Sequence, residues 1–223
     1  MIITIDGPSV SGKSSLARNI AKTLNIFYLN TGLIYRAVAY ILVNNFNYSE
    51  QDLTNAKYED ITKILNQDKF NYIYLNNDSH VIYNNIDITE FLHSSQVSKY
   101  ASILSSNLRA REILQDYQKS FSFKKKLVCD GRDCGSIIFP NADLKFFLTA
   151  SIDIRAKRWQ KYLAEQGQDL SFEECKSKVM ERDDRDKKVI ASLSVVPKDA
   201  IVIDNSNLTQ EKTLKTVLEK IKL

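Results

Sequence analysis

Eight residues near the N-terminus carry the clearest chemistry in the chain. Gly7-Pro8-Ser9-Val10-Ser11-Gly12-Lys13-Ser14 fits the pattern G-x-x-x-x-G-K-[ST], and Ser15 follows it. A loop with this spacing turns its backbone N–H groups inward to cradle phosphate oxygens, and glycine allows the dihedrals and the close approach. A helix starting near Lys13 adds its positive end. Lys13 then reaches the β- and γ-phosphates of a nucleoside triphosphate, and the Ser14 hydroxyl can ligate the Mg²⁺ that travels with them. A glycine-rich turn with a surface lysine is the bland alternative, and the strand before and helix after the loop argue against it.

A phosphate loop predicts nucleotide binding without fixing a reaction. The N/T-K-x-D tetrapeptide that would select guanine is absent, and a set of arginines follows instead. Arg36 lies just after the second predicted strand, Arg109 and Arg111 on the helix before the third, and Arg132 just beyond that strand's end. Arg155 and Arg158 stand one helical turn apart, and Arg182 and Arg185 sit within Glu181-Arg182-Asp183-Asp184-Arg185-Asp186. The planar guanidinium donates bidentately to phosphate and never loses its charge. Phosphoryl transfer asks for little beyond in-line positioning and charge neutralisation. An acceptor that is itself a phosphate is already an anionic nucleophile at neutral pH. No general base is then needed, which suits a chain whose two histidines, His80 and His93, lie far apart without a partner motif. Singly, Arg155 and Arg158, or Arg182 and Arg185, also read as exposed helix faces pairing with Glu165 or Asp183. Their number beside the loop favours function, and Arg109 is left open.

The elements that must position these groups follow from hydrophobic period. Ile2-Ile3-Thr4-Ile5 and Ile26-Phe27-Tyr28-Leu29 read as buried strands, each followed by a helical pattern: Leu16, Ile20 and Leu24, then Ile34, Val38, Ile41 and Leu42. Strand–helix alternation at this spacing predicts an α/β fold with a parallel central sheet. The middle breaks the rhythm. Asn71–Leu75, Val81–Tyr83 and Ile86–Ile88 form an antiparallel meander, expected as an inserted subdomain over 38–100 within a core of 1–37 and 101–223. A helix is expected near 94–118, strands at 127–129, 144–148 and 200–203, and a final helix bearing Leu214, Val217, Leu218 and Ile221. Arg36, Arg132 and the loop would then converge at the carboxyl ends of the strands, where open α/β sheets bind ligands.

Composition sets the class. The 223 residues carry a net charge of +4, with 43% hydrophobic and 26% charged residues, which suits one globular domain and excludes disorder. No apolar run reaches the roughly 18 residues of a membrane span. The Lys124-Lys125-Lys126 run is too short to argue for nucleic acid and reads as a solvated turn. Cys129, Cys134 and Cys175 have neither CxxC nor zinc spacing, which predicts a reduced, cytoplasmic setting with no disulfide or structural metal. No long exposed apolar stripe is evident, so a monomer is expected.

From end to end the sequence resembles the bacterial cytidylate kinases, the P-loop nucleoside monophosphate kinases that move the γ-phosphate of ATP to CMP and dCMP. The matching pieces are residues 3–15, 30–37, 100–111, 129–151, 181–186 and 199–206, with DGRD-x-G followed by FP-x-A the most telling. The resemblance implies ATP with Mg²⁺ on Gly7 to Ser15, and Thr31 and Asp186 near the ribose with Arg182. It implies Ser102, Arg111 and Asp133 at the cytosine, Asp133 accepting from the exocyclic amino group that uracil lacks. Arg36 and Arg132 would grip the CMP phosphate; Lys13, Arg132, Arg182 and Arg185 would serve catalysis. Arg155, Arg158 and Arg185 would belong to a lid side, the lid spanning 153–170, which closes over the transferring group and excludes water.

Four positions depart from the family pattern. Asn30 stands for an aspartate, His93 for an arginine, and Trp159 for the second of two paired arginines. Beyond the Asp186 motif the family carries an arginine and then Pro-Leu. Ungapped, Val189 falls at that arginine; a shift of one brings Lys188 there and Ser192-Leu193 to Pro-Leu. Its loss predicts weaker CMP binding or slower turnover, unless Lys187 or Lys188 compensates. Two alternatives stay open at this level: a kinase of the same fold acting on UMP, AMP or another small acceptor, and a non-catalytic ATP-binding module.

Overall fold

The computed structural model describes residues 1–189 and 196–221, the side chains of Lys188 and Val189 excepted. Five strands, β1 (Ile2–Asp6), β2 (Phe27–Asn30), β6 (Leu127–Asp130), β7 (Leu144–Thr149) and β8 (Ile201–Asp204), pair in parallel in the order β2-β6-β1-β7-β8. The chain leaves central β1 for the edge at β2, returns through β6, and crosses to β7 and β8. The crevice at the carboxyl end of β1 lies where these connections diverge, the position at which such sheets bind ligands.

Side chains on β1 alternate as the two-residue period demands. Ile3 and Ile5 are fully buried with Leu16, Ala17 and Ile20 of α1 (Lys13–Leu24) and Val217 of α8 (Gln210–Leu218). Thr4 and Asp6 point to the opposite face, against the turn at Gly135. A larger apolar cluster covers that second face. It joins Leu33, Ile34, Val38 and Ile41 of α2 (Thr31–Asn45) to Phe70, Tyr72 and Val81 of the separate antiparallel sheet β3 (Phe70–Leu75), β4 (Asp78–Tyr83) and β5 (Ile86–Asp87). Between these sheets lie α3 (Tyr58–Ile64), which the periodicity did not reveal, and, after β5, α4 (Ser95–Leu104) and α5 (Leu108–Lys119).

Two expectations change. The helix expected near 94–118 is two helices, α4 and α5, broken where Asn107 caps α5 by accepting from Ala110 N–H. Asparagine favours such a cap because its side chain satisfies an N–H with no partner inside the helix. The third meander strand ends at Asp87, one residue short. The expected boundaries at 37/38 and 100/101 fall inside α2 and α4, so continuous helices tie the inserted sheet to the core. Toward the C-terminus α6 (Ile152–Glu165) packs along α7 (Phe172–Val189).

Candidate active site

The phosphate loop joins β1 to α1. At Gly7, with φ of 146°, a Cβ would lie 2.0 Å from the carbonyl oxygen of Leu148, so only glycine lets the loop cross β7. Val10 is held left-handed at φ 57°, a strained state for a β-branched residue and one that concentrates at functional loops. Lys13 arches back over the loop and donates to Pro8 O at 2.7 Å and Ser11 Oγ at 3.4 Å. Ser14 Oγ donates to Asp130 Oδ2 at 2.7 Å, and Tyr28 donates to Asp130 Oδ1 at 2.7 Å.

A cleft of about 940 Å³ opens over this loop. Its wall takes in Lys13, Arg36, Arg132, Arg158, Arg182 and Asp186 at one end and Ser102, Arg111 and Asp133 at the other. Cations outnumber carboxylates at the first end. Burial lowers Lys13 well below an ordinary lysine, and Arg132 and Arg182 push it further down. Burial, then the charges of Arg132, Arg36 and Arg185, lower Arg182 to about 10. Arg36 is also lowered, chiefly by burial. Arg132 differs. Its Nε donates to Asp186 at 2.8 Å, and despite burial that carboxylate carries it above the usual arginine range. Burial works to raise Asp186, but Arg132, Arg182 and Lys13 hold it below an ordinary carboxyl. Neither Arg36 nor Arg182 has an acidic partner among the described residues. An end with this surplus attracts a multiply charged anion.

The other end is neutral on balance. Arg111 and Asp133 form a buried pair, joined by Gln115 of α5. Asp133 is aimed by the turn that follows it: Asp6 accepts from Cys134 N at 2.9 Å and Gly135 N at 2.8 Å. The turn fits so tightly under β1 that a Cβ on Gly135 would lie 2.7 Å from Thr4 Oγ1. Burial pushes the Asp6 carboxyl up to about 6 against the pull of those two N–H groups.

Most expected residues thus meet at one cleft, Thr31 included, its hydroxyl donating to Asp130 O at 2.7 Å. Val10, Gly12, Ser14 and Ser15 line it directly. Arg158 lines it while bonded to Ser11 O and to Asn205. Two lid-side arginines lie elsewhere than expected. Arg155 is buried behind the loop, where Ala150 O, Ser9 O and Asp183 take up its donors. Arg185 is exposed, outside the cleft wall, and reaches Ser102 Oγ at 3.2 Å. Arg109 lies over the ring of Tyr58 at 5.2 Å, away from the cleft wall.

Three of the four departures are also placed. Asn30 does what an aspartate would, capping α2 by accepting from Leu33 N–H. His93 and Trp159 line the cleft, Trp159 stacked on Tyr162 at 5.3 Å. The side chains of Lys188 and Val189, and Ser192-Leu193, lie outside the described residues.

The sequence reading missed Asp130 and Asp6, and gave Asp183 only as an alternative partner for the arginines, the pairing it makes with Arg155. Asp130 had a signal, an acidic residue closing the apolar run Leu127-Val128-Cys129, as a metal-side aspartate of a phosphate-loop protein does. Asp183, 174 residues from Ser9, accepts from that residue's N–H and hydroxyl at 3.2 and 2.6 Å, a contact no spacing rule reveals. Ser14 and Asp130 together form the oxygen set suited to Mg²⁺, which prefers one or two carboxylates plus substrate phosphates. No group of three or more acidic, histidine or cysteine residues that could hold an ion occurs among the described residues.

The parallel sheet, the loop and the cation-rich cleft define a P-loop phosphotransferase. The family profile described as "Cytidylate kinase" matches residues 3–223. The chain is 37% identical over 220 residues to a cytidylate kinase of Thermodesulfovibrio yellowstonii, covering 99% of this chain and 97% of that one. It is 39% identical over 222 residues to one of Chlamydia muridarum, covering 99% and 96%. Among solved structures an uncharacterised Eubacterium ventriosum protein shares the fold, with a TM-score of 0.52 at 14% identity over 99% of this chain and 98% of that one. The chain belongs to the cytidylate kinase family.

Proposed function

We propose that the chain transfers the γ-phosphate of ATP to CMP or dCMP, giving ADP and the corresponding diphosphate. The observation that carries this is the division of one cleft into an end with unneutralised cations over a phosphate loop and an end with a neutral, hydrogen-bonding ion pair. ATP phosphates would lie on the backbone N–H groups of Gly7 to Ser15, with Lys13 on the β- and γ-phosphates. Arg36 and Arg132 would hold the acceptor phosphate, and Arg182 would sit between donor and acceptor. Thr31 and Asp186 would approach the ribose, and Ser102, Arg111 and Asp133 would read the base. Ser14, with Asp130 behind it, would hold the Mg²⁺ that accompanies ATP, which would supply charge neutralisation to the substrate phosphates.

The acceptor phosphate is its own nucleophile, so this chain's task is alignment and electrostatics. Lys13, Arg132 and Arg182 can follow negative charge as it spreads over the moving group. The suppressed basicity of Lys13 and Arg182 means that an arriving phosphate relieves repulsion as well as adding attraction. The α6–α7 pair, with the expected lid over 153–170, would exclude water as a competing acceptor, and the 38–100 segment would form the acceptor side. No helix among the described residues is long and apolar enough to cross a membrane. A cytoplasmic monomer is part of the reading we propose.

The test is ADP release from Mg²⁺-ATP with CMP, dCMP, UMP or AMP supplied separately. Release driven by CMP and dCMP, with UMP and AMP at least tenfold slower, is expected. Equal rates with all four would leave a phosphotransferase without cytosine reading; ATP binding with no acceptor-dependent release would leave a binding module.

A further inference from the structure

The ion pair at the neutral end is incompletely closed. Arg111 Nη2 and Gln115 Nε2 both donate to the same oxygen of Asp133, Oδ2, at 2.5 and 2.8 Å. Asp133 Oδ1 receives no hydrogen bond from any described residue, although the carboxylate is buried and forms part of the cleft wall. Among the described residues, Arg111 Nε is buried without a partner and Nη1 reaches only Ser105 O at 3.5 Å. A guanidinium beside a carboxylate ordinarily closes into a two-point fork. Here that fork would consume Oδ1 and Nε together.

Gln115 accounts for the open geometry. It stands one helical turn beyond Arg111 on α5, so both side chains leave the same face. An ionised carboxylate is an acceptor only, which fixes the Gln115 amide with its NH₂ toward Asp133. Two donors on Oδ2 hold the carboxylate by one edge and turn Oδ1 away from Arg111. The amide does this without adding a second positive charge. What remains is one acceptor and one donor side by side on a buried wall. Cytosine offers the complementary set, an exocyclic amino donor beside a ring acceptor; uracil offers a carbonyl where the amino group would be.

We infer that Gln115 is a specificity-determining positioning residue, holding Asp133 in a one-point pairing with Arg111 so that Oδ1 stays free to accept from the exocyclic amino group of the acceptor base. The inference rests on the reading that Arg111 and Asp133 face the base of the acceptor nucleotide. Without the Gln115 donor, the carboxylate turns and the pair closes on itself. The base-reading state then becomes a minor population, and apparent affinity falls by that fraction. Stability does not suffer, because the closed pair satisfies groups that the open one leaves unpartnered.

The test is steady-state kinetics of Gln115→Met with CMP and with UMP, alongside thermal unfolding. The KM for CMP is expected to rise about tenfold. The kcat at saturating CMP, the KM for ATP and the UMP parameters should hold, and the melting temperature should hold or rise. Gln115→Glu, of equal shape but with an acceptor where the donor was, is expected to lose more CMP affinity than the Met variant. An unchanged CMP-to-UMP ratio of kcat/KM in both variants would overturn the inference. So would a uniform fall for both nucleotides with a lower melting temperature, the mark of a structural role alone. Asp133→Asn separates the two layers. If it abolishes CMP preference while Gln115→Met leaves it intact, only the role of Gln115 falls. If it too leaves the preference intact, the base reading falls with it.

Discussion

The two ends of the cleft treat charge in opposite ways. Over the phosphate loop, Lys13, Arg36 and Arg182 crowd together with fewer carboxylates than cations, and burial and mutual repulsion lower all three. At the base end, Arg111 is matched by Asp133 and the third group, Gln115, is neutral. The first arrangement is costly while empty and suited to a strongly charged ligand. The second is balanced while empty and suited to telling two nearly isosteric bases apart. Binding strength and discrimination are therefore placed in separate parts of one cleft. The prediction is that substitutions at the two ends move activity and stability differently.

The largest effect belongs to the loop lysine. Lys13→Met is expected to lower kcat/KM for CMP phosphorylation by about a thousandfold, the upper range for removing one group that stabilises transition-state charge. Its melting temperature should hold or rise, because a buried and repelled ammonium has gone. Coupled ADP assays and calorimetry on the same preparation check both halves. A sharp loss of stability would show that Lys13 belongs to the framework.

At the base end the signs reverse. Asp133→Asn leaves Arg111 buried with no countercharge, and the fold should lose about 3 kcal/mol in urea unfolding. The CMP-to-UMP preference should fall about a hundredfold while the KM for ATP stays put. A stable variant that keeps its preference would erase the contrast between the ends.

The smallest effect concerns the joint behind both. Asp6 titrates near 6, above its ordinary 3.8, so the folded state favours its protonated form. That contribution to stability is present below pH 3.8 and is lost as pH rises through 6, a change of about 3 kcal/mol at most. Asp6→Asn cannot titrate. Relative to the parent, its stability should therefore improve between pH 4 and pH 7, read by urea unfolding at each. A difference that does not vary with pH would contradict the buried charge.

Much of this molecule was legible from its residues, and the limit is physical. The phosphate loop is local: eight consecutive residues encode a strand end, a turn and a helix start, so its position and role could be read directly. The parallel sheet followed from strand–helix alternation, because parallel strands need crossovers, whereas its strand order did not. The break between α4 and α5 was also written locally, in Asn107, but the apolar period running on across it hid the cap. The base end was different. The base-reading role of Arg111 and Asp133 emerged only through family resemblance, since nothing in their own neighbourhood says that two residues 22 apart will pair. Gln115 shares a helical face with Arg111, yet that spacing names no target. Arg155 shows the converse. Its helical position was right, but two of its three acceptors, Ser9 O and Asp183, come from distant segments and draw it behind the loop, out of the cleft.

The most direct test of the divided cleft is a single variant measured twice. Arg182 is half-buried, lowered to about 10, and without an acidic partner among the described residues. If its charge is held for substrate phosphate, Arg182→Met should lower kcat/KM for CMP by at least about a hundredfold. Its unfolding free energy in urea should stay level or increase. Activity and stability falling together would mean that Arg182 serves the fold, and unchanged activity would mean that the phosphate end lies elsewhere.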